Sequence, residues 1–236
     1  MSAPKQESIR NRILVGLAPQ DYAALRSDLE PVDLALNQSL IAPDQLIEHA
    51  WFMDSGYTSI VTGVEGAKVE IGLVGREGMV GVPVLLGTDR SPFEHFIQCA
   101  GHGWRIAADR LLAASEERAL LRRRLLRYAQ ALNVQSSRTA FVNAEYPLEA
   151  RLARWLLMCH DRIDGNEIQI THDFIAMMLG VRRPGVTTAT HVLEGNRLIR
   201  ATRGMITVLD RGGLERLADD SYGMPEREYA RLMTEG

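Results

Sequence analysis

Between Ile168 and Ile199 the apolar positions follow a helical period twice, with one glycine between the two runs. Phe174, Ile175, Met178 and Leu179 make one face of a short helix, and Thr171 is placed to cap its start. Gly180 tolerates a left-handed backbone and ends that helix. A second helix is expected from about Arg182, with Val186, Ala189, Val192 and Leu193 turned inward. Its first turns then expose Arg182, Arg183, Thr187, Thr188 and His191. Two short helices, a glycine turn and basic or hydroxylated residues opening the second helix describe a helix-turn-helix.

The pattern elsewhere divides the chain in three. Ser8 to about Leu29 reads as one or two amphipathic helices, with Pro19 as a start signal. From Glu30 the period shortens: Val32, Leu34 and Leu36 alternate, and Gln38–Leu40, His49–Met53, Tyr57–Thr62, Val69–Val74, Phe93–Cys99 and Trp104–Ala107 follow as short apolar runs. Asp54-Ser55-Gly56 and a turn at Gly63 and Gly66 punctuate them. Short strands spaced about 8–12 residues apart predict a β-sandwich or jelly-roll barrel over residues 1–108. Residues 109–144 read as one long helix opened by Asp109, a rod of roughly 50 Å. Leu121, Leu125, Tyr128 and Leu132 step by four and three like a heptad seam, so this helix is expected to pair with its own copy in a homodimer.

Tyr146-Pro147 breaks the rod, and residues 145–236 form the third part. A helix with Leu152, Trp155, Leu156 and Cys159 inward leads through the tight turn Asp164-Gly165-Asn166 to the helix-turn-helix. Leu198–Ala201 and Met205–Leu209 flank Arg203-Gly204 as a two-strand wing, and two helical pieces end the chain. The expected class is α+β: an N-terminal jelly-roll β-barrel, a long dimerisation helix and a C-terminal winged helix-turn-helix.

Charge sharpens this reading. A net charge of −3 over 236 residues argues against a uniform coat of nucleic acid, so a DNA surface has to be local. It is local: residues 170–203 hold Arg182, Arg183, Arg197, Arg200 and Arg203 against Asp173 and Glu194. Cys99 and Cys159 are too few for an iron–sulfur cluster and point to a reducing cytoplasm. No apolar run reaches the length of a membrane span, and the charged N-terminus lacks a signal core, so no membrane partner is expected. No metal site or cofactor is expected. A cupin-type barrel enzyme needs clustered histidines, whereas His49, His95 and His102 fall on separate strands or turns.

The order of barrel, long helix, helix-turn-helix and wing resembles the Crp/Fnr superfamily of bacterial transcription regulators. Ile170-Thr171, Ile175, Gly180, Val181-Arg182-Arg183, Val186, Val192-Leu193-Glu194 and Leu198-Ile199 carry the resemblance in the C-terminal third. Gly72–Gly81 resembles the family's glycine-rich turn before its effector pocket, and Leu148–Leu156 its first DNA-domain helix. The resemblance implies a sequence-specific regulator that binds an inverted repeat in double-stranded DNA as a homodimer, with RNA polymerase as a further partner. Arg183 stands where relatives place an arginine that reads guanine. The chemistry agrees, since a guanidinium fork matches guanine O6 and N7. Thr171, Arg182, Thr187, Thr188 and His191 complete the expected interface, with Arg200 and Arg203 on phosphates near the wing.

Two regions depart from the family pattern. Pro184 and Thr188 stand where the cyclic-AMP-responsive members have glutamate and arginine, so a different operator is expected. In the pocket, Gly78, Gly81, Val82, Arg90, Ser91 and Ser136 are the candidates. The family's cyclic-nucleotide binders have a Gly-Glu pair for the ribose, and here the pair is Gly81-Val82. Valine cannot accept a hydroxyl's proton, and an unpaired polar contact in a buried site is costly. Cyclic AMP and cyclic GMP are therefore expected to bind weakly, leaving the signal unidentified. A cyclic-AMP-responsive regulator with a divergent pocket is the alternative.

Overall fold

The structure is a computed structural model that describes residues 4–64 and 67–234. Gly66, expected in the turn with Gly63, lies outside the described residues. Two helices, α1 (Arg12–Val15) and α2 (Pro19–Arg26), precede the strands β1 (Glu30–Leu34), β2 (Ser39–Ile41), β3 (His49–Met53), β4 (Tyr57–Val64), β5 (Ala67–Val74) and β6 (Met79–Val80). The short helix α3 (Val82–Leu85) leads to β7 (Glu94–Cys99) and β8 (Gly101–Ala107), then to α4 (Ala108–Glu117) and α5 (Ala119–Glu145). The rest is α6 (Leu148–His160), β9 (Glu167–Gln169), α7 (His172–Leu179), α8 (Arg183–Gly195), β10 (Ile199–Thr202), β11 (Met205–Val208), α9 (Arg211–Ala218) and α10 (Met224–Thr234).

These elements form two compact units. The described residues of the first are 4–60, 74–132 and 232–234, and those of the second are 61–64, 67–73 and 133–231. The barrel strands run β1-β8-β3-β6 in one sheet and β2-β7-β4-β5 in the other, and the wing runs β10-β11-β9. The antiparallel register is regular where β3 meets β8, from His49 opposite Ala107 to Met53 opposite Gly103.

In the first unit, Ile13, Leu14, Leu25, Phe52, Met53, Ile97, Leu111, Leu121 and Leu125 are wholly buried. The N-terminal segment is anchored by two buried polar residues that periodicity does not single out. Asn11 caps α1 by accepting from the amides of Ile13 and Leu14, and donates to the carbonyls of Met53 and Gly78. Asp54 accepts from the amides of Arg10 and Asn11 at 2.9 and 2.8 Å, and from the Trp104 indole at 2.9 Å. Such groups are tolerable inside only because every one is paired.

The expected single rod is two helices. Arg118 has an extended backbone (φ −124°, ψ 98°), and its carbonyl accepts from the Arg122 amide at 3.0 Å, so it closes α4 and starts α5. Its guanidinium pairs with the buried Asp21 at 3.4 Å, which fixes the break. Of the expected seam, Leu121, Leu125 and Tyr128 are 0%, 0% and 3% exposed within the single chain. Leu132 is half-buried. The outward face of α5 instead carries Leu120, 55% exposed, and Phe141, 48% exposed.

Candidate nucleic-acid interface

The second unit builds the helix-turn-helix from local signals. Thr171 is extended (φ −103°, ψ 155°), and its hydroxyl accepts from the Phe174 amide at 3.2 Å, capping α7. Gly180 sits at φ 62°, ψ 40°; its amide reaches the Met177 carbonyl and the Val181 amide reaches the Ala176 carbonyl. That double closure turns the chain sharply, and the left-handed residue suits glycine. Arg182 then adopts an extended backbone as the residue before α8, and its carbonyl accepts from Gly185 at 3.0 Å. Pro184 occupies the second position of α8, where its missing N–H breaks no helical bond.

Packing fixes which face of α8 points out. Val186, Ala189, Thr190 and Leu193 are buried, whereas Arg182, Arg183, Pro184, Thr188 and His191 are exposed. Val192 was expected inside, but it is 39% exposed and Thr190 takes the inward place. The Thr190 hydroxyl has no hydrogen-bond partner among the described residues. Thr187 is half-buried: its hydroxyl donates to the Arg183 carbonyl at 3.3 Å and lies 3.1 Å from His172 Nδ1. On α7, Ile175, Ala176, Met178 and Leu179 make the buried face, and Phe174 is only half-buried.

The frame around the motif uses groups that hydrophobic patterning does not flag. Arg151 on α6 donates to the Leu179 carbonyl at the end of α7 and to Asn143 Oδ1 at 3.1 Å, and burial lowers its pKa. Arg154, 4% exposed, donates to Thr139 Oγ1 at 3.0 Å. Its pKa falls to about 10 through burial, opposed by the nearby Glu226 and Glu70. The Trp155 indole donates to the buried Glu70 at 2.8 Å. Glu194 at the end of α8 accepts from the Ala201 amide at 2.7 Å and so ties α8 to the wing. Arg200 and Arg203 are exposed on that wing, with Gly204 turning the hairpin at φ 74°. Arg197 holds a left-handed backbone (φ 57°) just past the end of α8.

The pocket candidates are arranged differently. Gly81 (φ 104°) precedes α3, whose first residue, Val82, is 7% exposed. A Cβ on Gly78 would meet the Tyr128 hydroxyl at 2.0 Å, so glycine here admits the tyrosine ring. Arg90 is exposed, and its guanidinium donates to the Asp44 carbonyl at 3.0 Å and lies 3.8 Å from Asp89. Ser91 is buried, but its hydroxyl accepts from the Phe93 amide at 3.1 Å. Ser91 is thus engaged within its own loop, and Arg90 with the loop that holds Asp44. Ser136, half-buried on α5, belongs to the second unit. The His49 ring lies tilted against Trp51, 5.9 Å between centroids, His102 Nδ1 lies 2.8 Å from the Ser55 hydroxyl, and His95 is buried, its pKa lowered to about 4 by burial. Among the described residues no group of three or more His, Cys, Asp or Glu side chains is placed to hold a metal ion. Among the described residues no helix is long and apolar enough to cross a membrane.

Comparison with known proteins agrees with this geometry. Residues 150–217 match the Crp-like helix-turn-helix domain. The chain is 26% identical over 208 residues to the HTH-type transcriptional regulator Cmr of Mycobacterium tuberculosis, covering 84% of this chain and 82% of Cmr. Its fold is similar to that of FixK2 from Bradyrhizobium japonicum (TM-score 0.69, 13% identity, 81% of this chain and 98% of the other). A CRP/FNR-family transcriptional regulator from Thermus thermophilus has a TM-score of 0.66 at 20% identity, covering 82% of this chain and all of the other (100%). Cmr and the Thermus thermophilus protein are both transcriptional regulators. The chain thus carries a match to the Crp-like helix-turn-helix domain over residues 150–217, on a fold similar to that of a solved CRP/FNR-family regulator.

Proposed function

We propose that the protein binds an inverted-repeat operator in double-stranded DNA as a homodimer, reading bases through α8 under the control of a signal received at the barrel. The observation that carries this reading is the outward face of α8. Arg182 and Arg183 stand at its N-terminal end, with Pro184, Thr188 and His191 beside them, and all are exposed. A helix of this kind enters the major groove by its N-terminal residues. Arg183 is assigned to guanine, and Thr188 and His191 to the neighbouring base edges. Arg182, Arg200 and Arg203 contact phosphates, as does Thr171, whose hydroxyl keeps its proton free to donate. Thr187 supports the interface from a half-buried position. RNA polymerase is the proposed partner of the bound dimer.

The dimer is assigned to α5, where Leu120, Arg123, Gln130, Ser137 and Phe141 are exposed. Exposed Leu120 and Phe141 favour burial against a second copy. At the barrel, Val82 offers no acceptor to a ribose hydroxyl, Arg90 donates to the Asp44 carbonyl and Ser91 accepts from the Phe93 amide, which supports weak binding of cyclic AMP and cyclic GMP.

Footprinting on a selected operator tests this reading. The expected result is two-fold symmetric protection, with half-site centres about one helical turn apart and affinity that falls steeply with salt. Protection of a single asymmetric site would count against the dimer.

A further inference from the structure

We infer that Asp173 is a positioning residue for Arg183, determining which edge of the guanidinium is offered to a base. The inference rests on the proposal that Arg183 contacts a base. Asp173 is the second residue of α7 and Arg183 the first of α8, and the carboxylate Oδ1 lies 3.0 Å from Arg183 Nε. A guanidinium has two edges that can grip a pair of acceptors: the side edge, Nε with one Nη, and the end edge, both Nη. A carboxylate on Nε occupies the side edge. The end fork is then the edge left for the O6 and N7 of guanine.

A neighbouring tie holds the same two turns together. His172, one residue before Asp173, lies 3.1 Å from the Thr187 hydroxyl, and that hydroxyl bonds the carbonyl of Arg183. The first turn of α7 thus holds the first turn of α8 at both the side chain and the backbone of Arg183. Both members of the Asp173–Arg183 pair are exposed, with 73% and 63% of their side-chain surface open, so in free solution water screens the contact and it adds little stability. Its effect is orientational and strengthens where DNA excludes water.

The charge of Asp173 acts in the same direction. It is one of two acidic residues in residues 170–203, and the other, Glu194, is engaged with the Ala201 amide. A carboxylate among phosphate-facing arginines repels the backbone of any DNA. It is compensated only where Arg183 is held between it and a guanine. Asp173 therefore weakens binding to random sequence while sharpening it at the operator.

The test titrates wild type, Asp173→Asn, Arg183→Ala and the double variant on the operator. It repeats each titration on an operator altered at the base pair where Arg183→Ala loses preference, and on non-operator DNA. Asp173→Asn is expected to lower discrimination at that pair by about threefold or more, within the range a bidentate contact supplies. It should also raise affinity for non-operator DNA and have no effect on discrimination once Arg183 is alanine. Asp173→Glu, which keeps the charge, should recover part of the discrimination. Unchanged discrimination in Asp173→Asn, beside a clear Arg183→Ala defect, would overturn the positioning role alone. An equal loss in the Arg183→Ala background would also overturn it, since a merely structural role acts without the arginine. If Arg183→Ala keeps every base preference, the proposed base contact of Arg183 fails, and this assignment with it.

Discussion

The helix-turn-helix and the barrel pocket lie in the same chain but hold their key residues by different means. In the helix-turn-helix, the backbone is set by contacts a few residues away, Thr171 on the Phe174 amide, Gly180 on Met177 and Arg182 on Gly185, and the longer ties of Arg183 to Asp173 and of Thr187 to His172 stay within the motif. In the barrel, what a candidate can do depends on residues far away in sequence. Arg90 is drawn to the Asp44 carbonyl, 46 residues earlier, and Gly78 is confined by Tyr128, 50 positions on. A motif set by local geometry survives divergence elsewhere, so family likeness carries further in the DNA-binding part. A pocket assembled from distant loops can keep its outline and lose its chemistry.

Six substitutions test this contrast. The largest effect is expected at Leu125, which is fully buried in its own unit. Leu125→Ala should cost about 2–5 kcal/mol and lower the denaturation midpoint, as a core truncation does. Leu120→Ser, on the exposed face, should leave the midpoint near wild type and shift sedimentation toward monomer. If instead Leu125→Ala gave stable monomers, the seam would belong to the partner after all.

Next comes His95, which is 4% exposed and whose Nδ1 has no partner among the described residues. Its pKa in the fold is about 4 against an ordinary 6.5. The unfolded chain therefore takes up a proton below pH 6.5 that the folded chain refuses. Stability should be full above that pH and fall as pH drops toward 4, by roughly 3 kcal/mol in total. Denaturation of His95→Leu as a function of pH should lack that part of the slope. A wild-type-like slope would show that the imidazole is not held neutral.

In the DNA-binding part, Arg183→Ala should cost roughly 1–3 kcal/mol of operator affinity and relax one base pair per half-site. Arg200→Ala should weaken all sequences alike and reduce the salt slope by about one unit for a lost phosphate contact. Titration against operator and random DNA at several salt concentrations separates the two. The smallest effect is expected at Thr190, whose buried hydroxyl lacks a partner among the described residues. Thr190→Val keeps the shape, removes the unpaired group and should raise stability by about 1 kcal/mol, read as a higher midpoint. A lower midpoint would mean the hydroxyl is hydrogen-bonded in solution.

The same contrast explains what the sequence made legible. The caps, the glycine turn, the inward Val186, Ala189 and Leu193, and the exposed Arg182 and Arg183 all follow from period and local chemistry. Val192 and Thr190 exchanged roles because a period of 3.6 tells little about a helix's flank, where neighbouring helices decide burial. The seam is ambiguous for a related reason: a stripe of Leu121, Leu125 and Tyr128 reports that something covers it, and the three are already buried within the single chain. The break at Arg118 was invisible because it depends on the pairing with Asp21, 97 residues away. Asn11, Asp54, Arg151 and Glu70 carry no periodic signal either, and only the fold brings their partners to them.

The central claim is that α8 reads DNA sequence, and selection of bound fragments from a random pool tests it most directly. Wild type should enrich an inverted repeat with a guanine in each half-site whose preference disappears with Arg183→Ala. Failure of the wild-type protein to enrich any sequence above the starting pool, or an identical motif from Arg183→Ala, would contradict the account.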